Sequence, residues 1–234
     1  MRKIECDTCA VRGHGAVCDL PLDTLKDFRA AGATSIYRPK QVIFTEGNPT
    51  PGLYVLCSGA VKLYHTDRFG REHVLDIVFP GAMLGEVGLG VSQRVSVSAE
   101  TVSESQLSFI PNQALPAFLE KHPDAAIHML VALSQALARA QRKVRELAFK
   151  GAESRLATLL LDLAGNGDGL AHDRSRLRLK RRELAEMVGV STETAIRLLG
   201  KLRAKGAVAT EGREILIRDS ARLKKIAHHD EQEV

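Results

Sequence analysis

The sequence predicts an α+β protein in which an all-β domain, one long helix and a helix-turn-helix with a β-hairpin follow one another along the chain. Three observations predict this order. Short β-type runs separated by Gly and Pro fill residues 33–110, as in small sandwiches and rolls. Residues 124–150 lack Gly and Pro, as expected of one uninterrupted helix. Two amphipathic helical runs occupy residues 180–206, and a two-strand pattern follows them.

The composition indicates an ordinary globular protein. The chain has 234 residues, of which 44% are apolar and 26% are charged, and this length allows two modest domains with cores of their own. The N-terminal residues contain no apolar stretch typical of a signal peptide. No apolar run approaches the roughly 18–20 residues of a membrane span. We therefore expect a cytoplasmic protein with no membrane partner.

The N-terminal half divides into two predicted parts. Residues 1–20 form a cysteine-containing segment without clean periodicity, and residues 21–122 form an antiparallel β-domain. Short helices are predicted at both ends of this domain, at Pro21–Ala31 and Pro111–Leu119. The predicted strands are Ser35–Arg38, Gln41–Phe44, Leu53–Cys57, Ala60–His65, His73–Phe79, Val95–Ala99 and Gln106–Ile110.

Residues 123–150 are predicted to form one helix of roughly 40 Å, along which apolar residues recur at alternating steps of four and three, the spacing of a coiled-coil seam. This seam consists of Ala126, Leu130, Leu133, Leu137, Ala140, Val144 and Leu147. A core helix of a monomer would show the same pattern, but a chain of this size hardly covers so long a helix, so we expect a homodimer. The expected dimer contacts are Leu130, Leu133, Leu137 and Val144. The neighbouring face expected to pack on the chain's own β-domain comprises Ile127, Val131, Ser134 and Ala138.

Residues 151–234 are predicted to form a winged helix-turn-helix domain. A helix at Glu153–Ala164 and a strand at Arg176–Leu179 precede the helix pair. Two β-like pieces at Ala207–Thr210 and Glu214–Ile217 follow the pair as a hairpin wing. The apolar residues expected to pack the two helices together are Leu184, Ala185, Val188, Ala195, Leu198, Leu199 and Leu202.

The second helix of the pair predicts DNA binding. Gly189 makes the turn before this helix, and a Ser-Thr pair caps it. Glu193 and Arg197 stand one turn apart on its outer face, and these residue types can pair with cytosine N4 and with guanine O6 and N7. A surface ion pair would explain the same spacing. The surrounding charge favours DNA, however, because residues 173–225 hold 15 Lys and Arg against 7 Asp and Glu. This stretch carries a net charge of +8 and leaves −3 for the rest of the chain. The residues expected to contact double-stranded DNA are Ser191, Thr192, Glu193, Thr194, Ile196, Arg197, Lys201 and Arg213.

Four stretches carry a family resemblance. They are Tyr54–Tyr64 (YVLCSGAVKLY), Pro80–Leu89 (PGAMLGEVGL), Arg145–Ala164 (RELAFKGAESRLATLLLDLA) and Leu184–Gly206 (LAEMVGVSTETAIRLLGKLRAKG). Together they resemble the cyclic-AMP receptor/fumarate-nitrate regulator (CRP/FNR) superfamily over nearly the full chain. The resemblance implies a jelly-roll-like β-roll sensor domain, a long dimerisation helix and a C-terminal winged helix-turn-helix. It also implies homodimers that bind palindromic promoter sites and act on RNA polymerase.

The resemblance also identifies the family's base-reading motif. This motif falls on Glu193 and Arg197, and Ile196 stands where oxygen-responsive members carry Ser. Because an isoleucine offers no hydrogen bond and only an apolar contact to a thymine methyl, part of the preferred DNA half-site is expected to differ from theirs.

The four cysteines, Cys6, Cys9, Cys18 and Cys57, indicate a metal or redox site, because clustered thiols in a reducing compartment rarely form structural disulfides. The resemblance to the oxygen-sensing branch implies a [4Fe-4S] cluster on these four thiolates and a response to oxygen or nitric oxide. The family's fourth ligand position holds Ser108 here, so Cys57 has to replace it from a neighbouring strand. Zinc, a thiol–disulfide switch or an inert buried Cys57 thiol would explain the same residues.

A response to a cyclic nucleotide is the alternative that the resemblance offers. Glu86 matches the family's ribose-binding Glu, but Arg94 is followed by Val95 where the phosphate-binding pair has Ser. The adenine-contacting positions of the long helix hold Ala140 and Gln141, which would leave a nucleotide poorly paired. We therefore favour the iron–sulfur sensor. The sequence contains no Gly-rich nucleotide loop and no nucleophile–base pair, so we do not expect an enzyme.

Overall fold

The structure is a computed structural model of the chain. The residues that it describes are 4–9, 12–13, 15, 17–49, 51–85, 94–165, 171–173, 176–212 and 214–228. The chain divides into two compact units. One unit comprises residues 1–65 and 76–138, and the other comprises residues 66–75 and 139–234.

Among the described residues, the β-domain has eight strands. They are β1 (Ala33–Tyr37), β2 (Val42–Phe44), β3 (Gly52–Ser58), β4 (Val61–Thr66), β5 (Glu72–Val78), β6 (Met83–Leu84), β7 (Ser98–Thr101) and β8 (Ser105–Pro111). One four-stranded sheet has the order β1-β8-β3-β6 and the other has the order β2-β7-β4-β5. The pairs β1–β8, β3–β8, β3–β6, β2–β7 and β4–β7 are antiparallel. This arrangement confirms the predicted antiparallel β-domain.

Most strand ends lie within one or two residues of the predicted ones, and three other differences are more informative. Strand β7 begins at Ser98 rather than Val95, because the backbone of Val95 bonds instead to the loop residues Gly47 and Asn48, at 2.8 and 3.0 Å. Strand β6 was not predicted, since two residues are too few for an alternating pattern. Strand β8 continues through Pro111, where the sequence predicted the start of a helix.

Two apolar clusters hold the β-domain together. The first packs helices α1 (Leu22–Ala30), α2 (Leu115–Lys121) and the start of α3 (Pro123–Phe149) against β3 and β8. Within it the rings of Phe28 and Phe118 meet edge to face, with centroids 5.4 Å apart. The second cluster joins the two sheets and contains Phe44, Tyr54, Leu56, Val61, Val78, Leu84, Val95, Ala99 and Leu107.

The face of α3 that packs on the β-domain is not the expected one. Ala125 and Met129 are buried in the first cluster, whereas Ile127 and Val131 are 60% and 45% exposed. Since residues four apart share one side of a helix, Ala125 and Met129 form a separate row. The predicted packing through Ile127, Val131, Ser134 and Ala138 is therefore wrong.

The second unit contains the predicted helix-turn-helix and wing. Its helices are α4 (Ala152–Gly165), α5 (Arg181–Val188), α6 (Thr192–Ala204) and α7 (Ser220–Ala227). Its sheet, in the order β11-β12-β10-β9, consists of β9 (Ala171–Asp173), β10 (Arg176–Arg178), β11 (Val208–Glu211) and β12 (Glu214–Ile217). The fully buried core includes Leu156, Leu160, Leu177, Leu184, Leu202, Ile215 and Leu223. Helix α7 and strand β9 were not predicted.

No helix within the described ranges is long and apolar enough to cross a membrane.

Candidate functional site

The turn between α5 and α6 sets the position of the second helix. Helix α5 ends at Gly189, whose φ of +74° lies in the left-handed region that glycine adopts without the steric cost of a Cβ. The backbone N–H groups of Gly189 and Val190 both donate to the carbonyl of Ala185, each at 3.0 Å. The chain therefore reverses within two residues, as a helix-turn-helix requires.

The first turn of α6 is capped by Ser191. The hydroxyl oxygen of Ser191 accepts a hydrogen bond from the backbone N–H of Thr194 at 3.2 Å, which identifies Ser191 rather than Thr192 as the N-cap. The pKa of Glu193 is lowered, first by its own backbone N–H and then by the Ser191 hydroxyl. Glu193 is therefore a charged acceptor at neutral pH at the end of α6 where recognition helices contact base edges.

The outer face of α6 carries exposed side chains of the kinds that contact DNA. Glu193, Arg197 and Lys201 are exposed, and Ile196 is 52% exposed. The inner face is buried through Ala195, Leu198, Leu199 and Leu202. Among the ion pairs of the described residues, none joins Glu193 to Arg197. The surface ion pair that competed with base reading is therefore not formed.

The wing is the β11–β12 hairpin, in which Glu211 pairs with Glu214. Arg213 lies outside the described residues, so its expected DNA contact stays a prediction. The guanidinium of Arg181, at the start of α5, donates to the carbonyl of Gly212 at 3.3 Å and links the wing to the helix pair. Sequence reasoning did not identify Arg181 as a candidate, because nothing local relates it to a turn thirty-one residues later.

Helix α7 adds basic residues that the sequence analysis missed. Asp219 caps it by accepting from the backbone N–H of Arg222 at 2.8 Å, and Arg222 in turn donates to the carbonyl of Lys205 at 2.5 Å. A shallow groove on this side of the domain is lined by Lys205, Arg222, Lys225 and Ile226. The cap and the basic last turn are helix signals that could have predicted α7.

The predicted seam of α3 is an exposed apolar row. Leu130 is 62% exposed, Leu137 is 60% exposed and Val144 is 67% exposed, while Leu133 is 39% exposed. Contiguous apolar surface of this kind is unfavourable in water and marks a surface that a partner covers. The row keeps the coiled-coil spacing, so it suits a second copy of α3.

The four cysteines lie in one neighbourhood. The pKa of Cys18 is raised to about 12, mostly by burial and further by Cys57, Cys9 and Cys6. The pKa of Cys57 is raised to about 11 by burial and then by Cys6 and Cys9, against smaller opposing effects of the Ser108 backbone N–H and of Arg29. Because Cys6 and Cys9 raise the pKa values of both Cys18 and Cys57, the fold brings together residues that are up to 51 positions apart.

The expected metal centre is nevertheless not assembled. Among the described residues, no three or more His, Cys, Asp or Glu side chains are arranged to hold a metal ion, and all four cysteines are free thiols. The pKa effects among the thiols and the missing metal arrangement are compatible, because charges influence each other over longer distances than a metal–thiolate bond spans. The donor chemistry suits iron–sulfur or zinc, but the side chains would have to turn toward a common centre.

The nucleotide-contacting positions are only partly described. Glu86 lies outside the described residues, and Arg94 donates to the carbonyl of Gly47 at 2.6 Å. Ala140 and Gln141 are exposed on α3. Thus neither of the two effector sites considered from the sequence is complete within the described ranges.

Two family models match the chain. A model described as "Cyclic nucleotide-binding domain" matches residues 35–122, and one described as "Crp-like helix-turn-helix domain" matches residues 154–226. The first range contains the two-sheet domain, and the second contains the helix-turn-helix and the wing.

Similar proteins are transcription regulators. The chain is 32% identical over 192 residues to the "CRP-like cAMP-activated global transcriptional regulator" of Mycobacterium tuberculosis, a match that covers 79% of this chain and 84% of the relative. It is 31% identical over 217 residues to the "CRP-like protein Clp" of Xanthomonas euvesicatoria, which covers 90% and 94%. The solved structure of the c-di-GMP responsive global regulator CLP of Xanthomonas campestris is similar with a TM-score of 0.75 and 29% identity, over 84% and 99% of the two chains. A CRP/FNR family regulator from Thermus thermophilus is similar with a TM-score of 0.72 and 31% identity, over 84% and 99%.

These comparisons bear directly on the sensing hypothesis. The names of two of these relatives refer to cyclic AMP and to c-di-GMP, and none of the four refers to iron or sulfur. The preference for an iron–sulfur sensor over a cyclic-nucleotide sensor is therefore not supported, and the alternative fits the comparisons better.

We expect the substitution Leu137→Glu to weaken the dimer. It places two carboxylates opposite each other in an apolar seam, where their burial costs several kcal/mol. Analytical ultracentrifugation should show monomers at concentrations at which the parent protein is dimeric. The matched control is Gln135→Glu, which adds the same charge off the seam. An unchanged dimer for Leu137→Glu would show that another surface makes the contact.

We expect the substitution Arg197→Ala to cost about 1–3 kcal/mol in binding to a specific site. Binding to random DNA should change little, because the phosphate contacts that provide nonspecific affinity remain. Fluorescence anisotropy on a selected site and on random DNA measures both. Arg203→Ala, an exposed residue in the last turn of the same helix, is the control. Equal losses on the two DNAs would instead assign Arg197 to the phosphate backbone.

Proposed function

The chain belongs to the CRP/FNR family of transcription regulators, and from this premise we propose that it is a homodimer whose β-roll binds a cyclic nucleotide and thereby controls binding to a palindromic promoter site. The observation that carries the proposal is the presence of a cyclic nucleotide-binding domain match and a Crp-like helix-turn-helix match in one chain. The partners of such a regulator are double-stranded DNA and RNA polymerase, and its place is the cytoplasm.

The DNA contacts in this proposal divide into reading and positioning. Arg197 pairs with guanine and Glu193 accepts from cytosine N4, so these two residues select the bases. Ile196 contacts a thymine methyl. The remaining contacts hold the phosphate backbone and set the register of the helix. These residues are Ser191, Thr192, Thr194, Lys201 and Arg213.

The dimer in this proposal forms through the exposed row of α3. Leu130, Leu133, Leu137 and Val144 pack against the same residues of a second copy. A two-fold axis along this seam relates the two recognition helices, and they then read half-sites about one helical turn, roughly 34 Å, apart. Dimer geometry therefore determines DNA affinity, and an effector acts by changing that geometry.

The effector is proposed as a cyclic nucleotide and not as cyclic AMP in particular. The relatives' names include both cyclic AMP and c-di-GMP. Val95, Ala140 and Gln141 depart from the cyclic-AMP contacts that the family resemblance implies, and unpaired polar groups of a bound ligand lower its affinity. A cyclic nucleotide that is bound through contacts other than these is consistent with the relatives' names and with the three departures.

A second input is favoured by one observation: Cys6 and Cys18 pack against the same apolar cluster, and Cys6 and Cys9 raise the pKa values of both Cys18 and Cys57. We propose that Cys6, Cys9, Cys18 and Cys57 can hold a [4Fe-4S] cluster or zinc once their side chains turn toward one centre. When bound, such a group would cross-link the N-terminal segment to β3, and an iron–sulfur cluster would add sensitivity to oxygen or nitric oxide.

The nucleotide proposal predicts that cyclic AMP or c-di-GMP changes the Kd for a selected palindromic DNA by about 10-fold or more, an allosteric coupling of ordinary size. The measurement is fluorescence anisotropy on anaerobically purified protein, with calorimetry for direct nucleotide binding. Guanosine monophosphate serves as the control ligand. If neither cyclic nucleotide binds or changes the DNA affinity, the effector part of the proposal is wrong.

The thiol proposal predicts that Cys57→Ser lowers bound iron and sulfide, or bound zinc, as much as Cys9→Ser does. A metal group with three protein thiolates has one position open and assembles poorly. Metal and sulfide analysis after anaerobic reconstitution measures this, with Thr8→Ala beside Cys9 as a neighbouring control. Full metal content in Cys57→Ser, or none in the parent protein, contradicts the second input.

A further inference from the structure

The main chain of Ile4 is held by one buried side chain. The backbone N–H of Ile4 donates to Oε1 of Gln106 at 2.7 Å, and Nε2 of Gln106 donates back to the carbonyl of Ile4 at 2.8 Å. Gln106 lies on β8 and is 0% exposed. The amide thus pairs with residue 4 as a neighbouring strand would, across 102 positions of sequence.

A glutamine at a fully buried strand position needs these partners. A buried amide without hydrogen bonds carries a large desolvation cost. The two bonds to Ile4 satisfy one donor and one acceptor of the Gln106 side chain. Gln106 in the sheet and Ile4 in the N-terminal segment therefore hold each other in place.

A second contact holds the same segment at the next two residues. The guanidinium of Arg29, on α1, forms an ion pair with Glu5 at 2.5 Å and lies 3.9 Å from the sulfur of Cys6. Its Nε donates to the hydroxyl of Thr34 on β1 at 3.3 Å. The Arg29 side chain is only 18% exposed, so its position is set by α1 and the sheet rather than by solvent.

The segment held in this way covers thiols. Cys6 and Cys18 pack against the first apolar cluster of the β-domain. Cys57 stands on β3 next to Ser58, which pairs with Gln106 in the sheet and accepts from its backbone N–H at 3.3 Å. The residue that holds Ile4 therefore lies directly beside this strand thiol. If residues 4–6 left the sheet, Cys57 would lose part of its cover.

We propose that Gln106 and Arg29 form a two-point latch on residues 4–6, and that opening of this latch controls access to the Cys57 thiol. Any group that bridges the segment to Cys57 binds only the closed state. Its apparent affinity is therefore scaled by the fraction of chains in which the latch is closed. The latch is formed by the chain alone and needs no bound group. Only its use in the cell rests on the second input of the proposed function, the binding of a metal group by the cysteines.

The test is the rate at which N-ethylmaleimide alkylates each cysteine of the reduced, metal-free full chain, resolved by mass spectrometry. Gln106→Leu removes both bonds to Ile4 and should raise the Cys57 rate about 10-fold or more. Glu5→Gln removes the exposed ion pair without touching the core and should raise it about 2- to 5-fold. Asp23→Asn, which makes the same charge change at an exposed pair on α1, should leave the rate unchanged.

Hydrogen exchange distinguishes latch opening from other causes. The amides of residues 4–9 should exchange faster in both latch variants, while those of β4 and β7 keep the parent rates. Parent alkylation rates in folded Gln106→Leu and Glu5→Gln would overturn the latch. If Gln106→Leu loosens the whole β-domain, Glu5→Gln alone decides the question. Because no metal or nucleotide is present, the result is independent of whether either proposed effector binds.

Discussion

Helix α3 has more apolar surface than one copy of the chain covers, and the proposed dimer depends on this constraint. One row, at Ala125 and Met129, is buried on the β-domain, while Leu130, Leu137 and Val144 remain in contact with water. Burial of that second row by another copy of α3 gains free energy in proportion to the area removed from water. The same contact would determine how far apart the two recognition helices lie.

In the DNA-binding unit, a few local features determine the position and orientation of α6. The left-handed Gly189 and the Ser191 cap determine where α6 begins, and a row of buried leucines determines which side faces inward. Glu193 and Arg197 are then left on the outside without pairing to each other. An exposed carboxylate and an exposed guanidinium that do not pair with each other are groups that base edges can satisfy, which a mutual ion pair would have prevented.

The β-domain contains features of two sensing chemistries. The comparisons favour a cyclic nucleotide as the effector, whereas the thiols favour a metal group bound at the N-terminal segment. Burial raises the pKa values of Cys18 and Cys57, so both thiols are protonated at neutral pH, and a metal would have to displace those protons. The clustered cysteines are the weaker of the two indications, because no metal-holding group is arranged among the described residues, whereas a cyclic nucleotide-binding domain model matches residues 35–122.

The sequence by itself determined the antiparallel β-domain, the apolar row of α3 and the turn of the helix pair. The row and the turn depend on residues within one or two turns of each other, and the strands follow from short β-type runs between Gly and Pro, so periodicity and turn rules suffice. Only the tertiary structure decided which face of α3 meets the β-domain, where Val95 bonds, and that Gln106 holds Ile4. Those outcomes depend on contacts between distant parts of the chain. The sequence around a side chain does not specify a partner that is about a hundred residues away. The fold brings the two together only after many other contacts have formed.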